Sequence, residues 1–222
     1  MALKIAGMTA PRLRMNAPST GKTDRPASLP KGRARREAMV AVAASLVDQG
    51  GAAAVTLRDV GRLTGVSHNA PYRHFSSKDD LLDAVAAREI KQLVSNAKES
   101  GGAQGLTARA LMLEYMRWAL ANPARFRLVS GPWFTVSEAR LAAAAEWRRL
   151  VIEAVARGQA AGEMPAGDPE RLSSLLLALS HGAMHLALQG RLAARGEGFA
   201  DAEQLLEDFF GHLALARRAD VQ

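Results

Sequence analysis

The sequence predicts an all-α chain of about nine helices, and three observations carry that prediction. From Lys31 onward apolar residues recur at the i, i+3, i+4 spacing of a helix face, and no stretch alternates apolar and polar residues as a half-buried strand would. Gly, Pro and Asn breaks interrupt this pattern at intervals of helical length. Several of the breaks carry residues suited to capping a helix. The first helix spans about 31–49 and stops at Gln49-Gly50-Gly51; a second, about 57–64, stops at Gly65. A third runs about 68–75. The fourth starts after Ser77, where Ser77-Lys78-Asp79-Asp80 has the form of a capping box, and ends at Ser100-Gly101-Gly102. Five more follow at about 106–121, 123–130, 136–161, 169–191 and 202–217. Asn122-Pro123 and Asp168-Pro169 each set an N-cap residue before a proline at the first helical position. Thr135 and Glu138 form a further capping box.

Composition narrows the function. The 222 residues hold 29 Lys and Arg against 22 Asp and Glu, a net charge of +7, and no cysteine. Without cysteine there is no disulfide framework, thiolate metal site or thiol nucleophile, and a reducing, cytoplasmic compartment fits. The most apolar stretch, 172–189, is broken by Ser173, Ser174, Ser180, His181, Gly182 and His185, so no membrane span is expected. The positive charge is local: residues 1–36 hold nine basic residues and one acid. Residues 1–30, with four prolines and no helical periodicity, read as a disordered basic arm. Two roles stay open for it, a contact to phosphates or a minor groove, and a solvated tail; Met8 and Met15 also offer alternative starts.

The chemistry lies in residues 56–78. Two short helices flank Gly65-Val66-Ser67. Gly65 suits the left-handed conformation that ends a helix, Val66 can plug the turn against Leu57, Val60 and Leu63, and Ser67 can cap the next helix. This is the layout of a helix-turn-helix, over about 56–75, whose second helix enters the major groove. Its exposed face offers His68, Asn69, Arg73 and His74, groups that reach base edges and phosphates.

Gly65-Val66-Ser67, Tyr72-Arg73-His74-Phe75, Lys78, Leu81-Leu82 and the lead-in Thr56-Leu57-Arg58-Asp59-Val60 together resemble the N-terminal domain of the tetracycline-repressor (TetR) family. The resemblance implies that Tyr72 and Lys78 contact phosphates and that Thr56 touches the DNA backbone. It also implies that His68, Asn69 and Arg73 read bases and that Phe75 lies in the core. The expected DNA-contacting set is therefore Thr56, Arg58, Ser67, His68, Asn69, Tyr72, Arg73, His74 and Lys78. Two residues depart from the family pattern: Gly61, where alanine is usual, and Pro71, where leucine is frequent. The resemblance further implies a larger helical domain that binds an effector and dimerises, so the chain divides into an arm (1–30), a DNA-binding domain (31–77) and an effector and dimerisation domain (78–222).

In that larger domain Met112, Tyr115 and Met116 share one helical face, and Phe126, Trp133, Trp147, His181 and His185 are the other candidates for an effector site. Ordinary core packing explains the same stripe. His181 and His185 lie one turn apart, but two histidines are not a metal site, and neither metal nor cofactor is expected. Leu172, Leu175, Leu176, Leu179, Ala183 and Leu186 form one apolar stripe, and Leu205, Leu206, Phe209, Phe210 and Leu213 another. Two such helices per subunit suit a four-helix homodimer interface, with Leu172, Leu176, Leu179, Ala183, Leu205, Phe209 and Leu213 as its expected contacts and Gly182 and Ala183 permitting close approach; packing within one chain is the alternative. There is no Gly-rich phosphate loop, no Gly-x-Ser-x-Gly elbow and no paired His-Glu metal motif, so no enzyme is expected. The chain reads as a dimeric regulator, foremost a repressor, that leaves a palindromic double-stranded operator when a small apolar or aromatic effector of unknown identity binds. The rival readings are an effector-independent dimeric DNA-binding protein and an activator of the same fold.

Overall fold

In the computed structural model the described residues are 31–131, 136–192 and 200–219. They form eight α-helices: α1 Lys31–Gly50, α2 Leu57–Leu63, α3 Lys78–Gly101, α4 Ala108–Ala121, α5 Pro123–Ser130, α6 Glu138–Ala160, α7 Pro169–Leu188 and α8 Ala202–Ala219. Short 3-10 turns lie at Ala52–Ala54, Pro71–Arg73 and Gly102–Gln104. No strand occurs among the described residues.

The expected ninth helix, 68–75, is where the chain differs. Pro71 has no N–H to donate to the carbonyl of Ser67, so the first bond of an α-helix starting at 68 is missing. Instead the N–H of Ala70 closes a tighter turn on that carbonyl at 2.9 Å, and Pro71–Arg73 is a single 3-10 turn. The Ser67 carbonyl, and not its hydroxyl, therefore holds this turn, and the hydroxyl that was expected to cap a helix stands on an exposed residue.

Two other caps also differ. Ser137, rather than Thr135, caps α6, its hydroxyl accepting the N–H of Arg140 at 3.2 Å; Thr135 itself lies outside the described residues. Asn122 does not cap α5: its side-chain amide donates to the carbonyl of Trp118 at 2.9 Å and closes the end of α4. Ser77 and Asp168 act as expected, accepting the N–H groups of Asp80 and Glu170. Asp80 returns its carboxylate to the N–H and hydroxyl of Ser76, one residue earlier than a capping box would.

Two apolar cores form. The first joins α1, α2, Phe75 and the first half of α3, and takes Leu128 from α5. The second joins the far half of α3 with α4, α6, α7 and α8, and takes Phe126 from α5. The short helix α5 thus places successive core residues in both. In the second core Leu176 and Ala183 are buried within the subunit and Leu176 has no exposed surface at all, so neither has area left to give a partner chain. Leu172, Leu179, Leu205, Phe209 and Leu213 are half-buried against that core.

Candidate nucleic-acid interface

The interface begins at α2. Thr56 caps it, its hydroxyl accepting the N–H of Asp59 at 3.0 Å and donating to the Asp59 carboxylate at 2.7 Å. That bond, with Arg62 and Arg58 nearby, holds the Asp59 carboxyl below the ordinary carboxylate range. Arg58 and Arg62 stand exposed along the helix. Gly65 ends it with φ of 68°, a left-handed value that glycine adopts without strain. Val66 packs under the turn against a core that contains Leu57 and Val60, while Leu63, expected beside them, is exposed.

Beyond the turn, Ser67, His68, Asn69, Tyr72 and Arg73 are all exposed. The rings of His68 and Tyr72 lie 6.1 Å apart, and Tyr72 keeps 53% of its surface open, unusual for an aromatic residue and suited to a partner surface. His74 is half-buried beside Phe75, which fills the first core under the guanidinium of Arg36, 4.9 Å from the ring centroid. Lys78 opens α3, with its ammonium 3.5 Å from the carbonyl of Ala53. The segment 56–78 carries four cations and one acid and no large apolar patch, a surface fitted to a polyanion.

A second cluster occupies the centre of the larger core. Tyr115 and His181 share a 2.9 Å hydrogen bond between the phenol oxygen and Nε2. Around Tyr115 stand Trp118 (stacked, 6.0 Å), Trp147 (5.2 Å) and Phe126 (edge-on, 6.4 Å), and Phe126 also meets His185 at 5.1 Å. Met112, Met116 and Phe126 are fully buried, His185 is exposed, and Trp133 lies outside the described residues. Beside Tyr115 and Trp147 lies a cavity of about 60 Å³, room for roughly two waters and far below the 300 Å³ or more of a drug-sized site. Next to His181, the hydroxyl of Ser180 is buried with no hydrogen-bond partner among the described residues.

Burial, and then the neighbouring His185, push the His181 imidazole below its ordinary value, while burial pushes the Tyr115 phenol well up. Both groups are therefore neutral near pH 7. As pH falls below about 6.5, the unfolded chain takes up a proton that His181 in the folded chain refuses, so stability is full above that pH and falls beneath it. Unfolding temperatures measured between pH 5 and 8 should fall on acidification, and the slope should be shallower in His181→Gln.

Residues 39–85 match the sequence profile of the bacterial regulatory proteins of the tetR family, and residues 108–213 that of the tetracyclin repressor-like C-terminal domain. An HTH-type transcriptional regulator of Mycobacterium tuberculosis is 30% identical over 161 residues, covering 63% of this chain and 68% of the relative. The chain belongs to the tetracycline-repressor family of transcriptional regulators. Similar solved structures include a protein of unknown function from Rhodococcus sp. RHA1, with a TM-score of 0.66, 27% identity and coverage of 82% of this chain and 94% of that one. A TetR transcriptional regulator from the same strain has a TM-score of 0.57 at 24% identity, covering 83% and 97%. FadR of Bacillus subtilis, solved in complex with stearoyl-CoA, shares the fold at 13% identity and a TM-score of 0.59, covering 80% and 97%.

Family membership gives weight to the contacts that join the two cores, which the sequence did not reveal. Arg125 on α5 forms a two-pronged pair with Asp48 of α1, at 2.8 and 2.6 Å, and reaches Glu89 of α3 at 3.1 Å. These bonds hold the Arg125 guanidinium above its ordinary value. Asp83 of α3 accepts from Arg140 at 3.3 Å and from the N–H of Ser137 at 3.1 Å, and Arg140 also donates to the carbonyl of Val129. Asp83 and Glu89 are acids buried on an otherwise apolar helix face, where a carboxylate needs a cation; in the sequence they show only as acids spaced among apolar residues, with nothing to name the partner. No helix among the described residues is long and apolar enough to cross a membrane.

Proposed function

We propose that this protein is a homodimeric repressor that reads a two-fold operator through residues 56–78 and is released by a small ligand of its larger domain. The observation that carries the reading is the exposed polar set His68, Asn69, Tyr72 and Arg73, flanked by Thr56 and Lys78, in a segment matching the family's N-terminal profile. Asn69 and Arg73 have the donors and acceptors for base edges, and Tyr72, Lys78, Thr56, Arg58 and Ser67 those for phosphates. The dividing experiment compares operator with random duplex. Lys78→Ala weakens both about equally and lowers the salt slope by roughly one. Asn69→Ala costs ~1–3 kcal/mol on the operator alone; equal losses on both duplexes contradict base reading by Asn69.

The effector site we assign to the Tyr115 cluster. It is mostly aromatic, and His181 and Tyr115 at its centre are neutral, which suits an apolar or aromatic ligand carrying one or two polar atoms for His181, Tyr115 or the unpartnered Ser180 hydroxyl. Phe126 links this cluster to α5, whose Arg125 and Leu128 engage the DNA-binding core, so a ligand that displaces Phe126 moves α5 against α1 and α3. The stearoyl-CoA complex of FadR supports a ligand role for this fold. With only about 60 Å³ open, a ligand must expand the cluster on entry. The same tightness favours a second reading, a dimeric DNA-binding protein with no effector. A screen of small aromatic and acyl compounds for operator release separates the two: in the first reading Tyr115→Ala blunts release and leaves DNA binding intact, and in the second no compound releases the DNA.

The dimer surface we place on α7 and α8, without Leu176 and Ala183, which the subunit buries. Leu175 and Leu186 are exposed, and Ala178 and Gly182 lie between them on the same open face of α7. The half-buried Leu172, Leu179, Leu205, Phe209 and Leu213 flank it.

A further inference from the structure

Gly61 and Pro71 touch across the turn of the DNA-reading unit. Gly61 is buried in α2, and a Cβ built on it would stand 2.9 Å from Cγ and 3.4 Å from Cδ of Pro71. The pyrrolidine ring is itself buried and rigid, so it cannot swing aside as a flexible side chain would. The missing side chain of Gly61 is what lets the ring seat on the backbone of α2.

At the other end of the segment, the carbonyl of Pro71 accepts the N–H groups of both His74 and Phe75 at 2.9 Å, and Phe75 is locked in the first core. Residues 71–75 are thus pinned at both ends, and the residues between the pins and the turn are those offered to DNA. A 3-10 turn advances about 120° and 2.0 Å per residue, against 100° and 1.5 Å in an α-helix. Over Pro71–Arg73 the difference rotates the side chains by roughly 60° and moves them about 1.5 Å relative to an unbroken helix. A bidentate base contact does not survive an error of that size.

We propose that Gly61 and Pro71 act as one positioning device, which sets the base edges that His68, Asn69 and Arg73 reach and so sets the operator sequence. The proposal rests on residues 56–78 being the DNA-reading unit. Pro71→Ala restores the N–H and lets the segment wind towards an α-helix, with Gly61 still tolerating either form. Gly61→Ala drives a methyl into the ring and forces the segment off its seat.

The test is selection from a random-sequence duplex library by the full-length dimer, wild type and variants in parallel. Binding of the wild-type operator and of a random duplex is then measured over a range of salt. For Pro71→Ala we expect a folded protein with random-duplex affinity and salt slope within about twofold of wild type. Its affinity for the wild-type operator should fall by about tenfold or more, and its selected half-site should differ. Gly61→Ala should lose thermal stability, and Gly61→Ala/Pro71→Ala should recover it while selecting the half-site of Pro71→Ala. A Pro71→Ala protein that selects the wild-type half-site with undiminished affinity overturns the proposal, as does a double variant no more stable than Gly61→Ala. A wild-type protein that enriches no sequence overturns the DNA-reading assignment itself, and this proposal with it.

Discussion

Gly182→Trp should convert the protein to a monomer without unfolding it, and operator affinity should drop at least a hundredfold. The expectation rests on what surrounds Gly182. It lies on the open face of α7, and a Cβ added there meets nothing within 4 Å in the subunit. A large side chain is therefore accepted by the fold, and leaving glycine inside a helix gains up to about 1 kcal/mol. In a dimer packed through Leu175, Ala178, Gly182 and Leu186 the same side chain is a wedge between helices that must approach closely. Leu175→Glu acts on that face by a different route. Leu175 is 56% exposed in the subunit, so the charge is hydrated in the monomer and stripped of water only in the dimer. Leu176→Glu, one residue on, should behave otherwise: with no exposed surface, it places an unpaired charge in the core and destabilises the fold itself. Losing the second subunit removes the effective-concentration gain of joined half-sites, commonly 10²–10⁴. Sedimentation, thermal unfolding and operator binding on the three variants check this. A monomeric Gly182→Trp that still binds the full operator tightly contradicts the assignment, and so does a Gly182→Trp that stays dimeric.

How much of this was legible before folding differs by feature, for physical reasons. Helix positions were readable because the i, i+3, i+4 pattern and the caps at Ser77 and Asp168 are local signals. The segment 68–75 was misread because its composition is compatible with a helix while one missing donor, at Pro71, decides against it. Gly61 and Pro71 were both visible as unusual residues, but that they touch depends on how the turn folds back, which spacing does not encode. Within the apolar stripe of α7 the subunit buries Leu176 and Ala183, half-buries Leu172 and Leu179, and leaves Leu175 and Leu186 open, a division that apolar spacing alone does not give. An apolar stripe reports that something covers it, not which chain does. The ion pairs between the cores join residues 36 and 77 positions apart, and no local pattern links them.

Arg125→Met should lower the unfolding free energy by about 3 kcal/mol, or the melting temperature by roughly 6–12 °C, and uncouple the two cores. Glu89 is only 4% exposed, and Arg125 is its partner in charge; methionine keeps the length of the stem and removes the guanidinium. What remains is a carboxylate in a nearly dry site, the costly half of a broken buried pair. The Asp48 pairing adds less, because its carboxylate is 43% exposed and water replaces the lost bonds. The decisive control is therefore at Glu89 rather than Asp48. In Arg125→Met/Glu89→Gln the stranded charge is gone and most of the lost stability should return, whereas Arg125→Met/Asp48→Asn should recover little. The functional readout follows from α5, which inserts Phe126 into one core and Leu128 into the other while Arg125 ties it to α1 and α3. With that tie removed, α5 can shift with the aromatic cluster and leave the DNA-binding core in place. The double variant Arg125→Met/Glu89→Gln should then fold and bind operator, yet release it poorly with any compound that releases it from the wild-type protein. A double variant that regains stability and also responds to such a compound as the wild type does would show that the signal bypasses Arg125. An Arg125→Met protein as stable as wild type would show that Glu89 is solvated or neutralised without it.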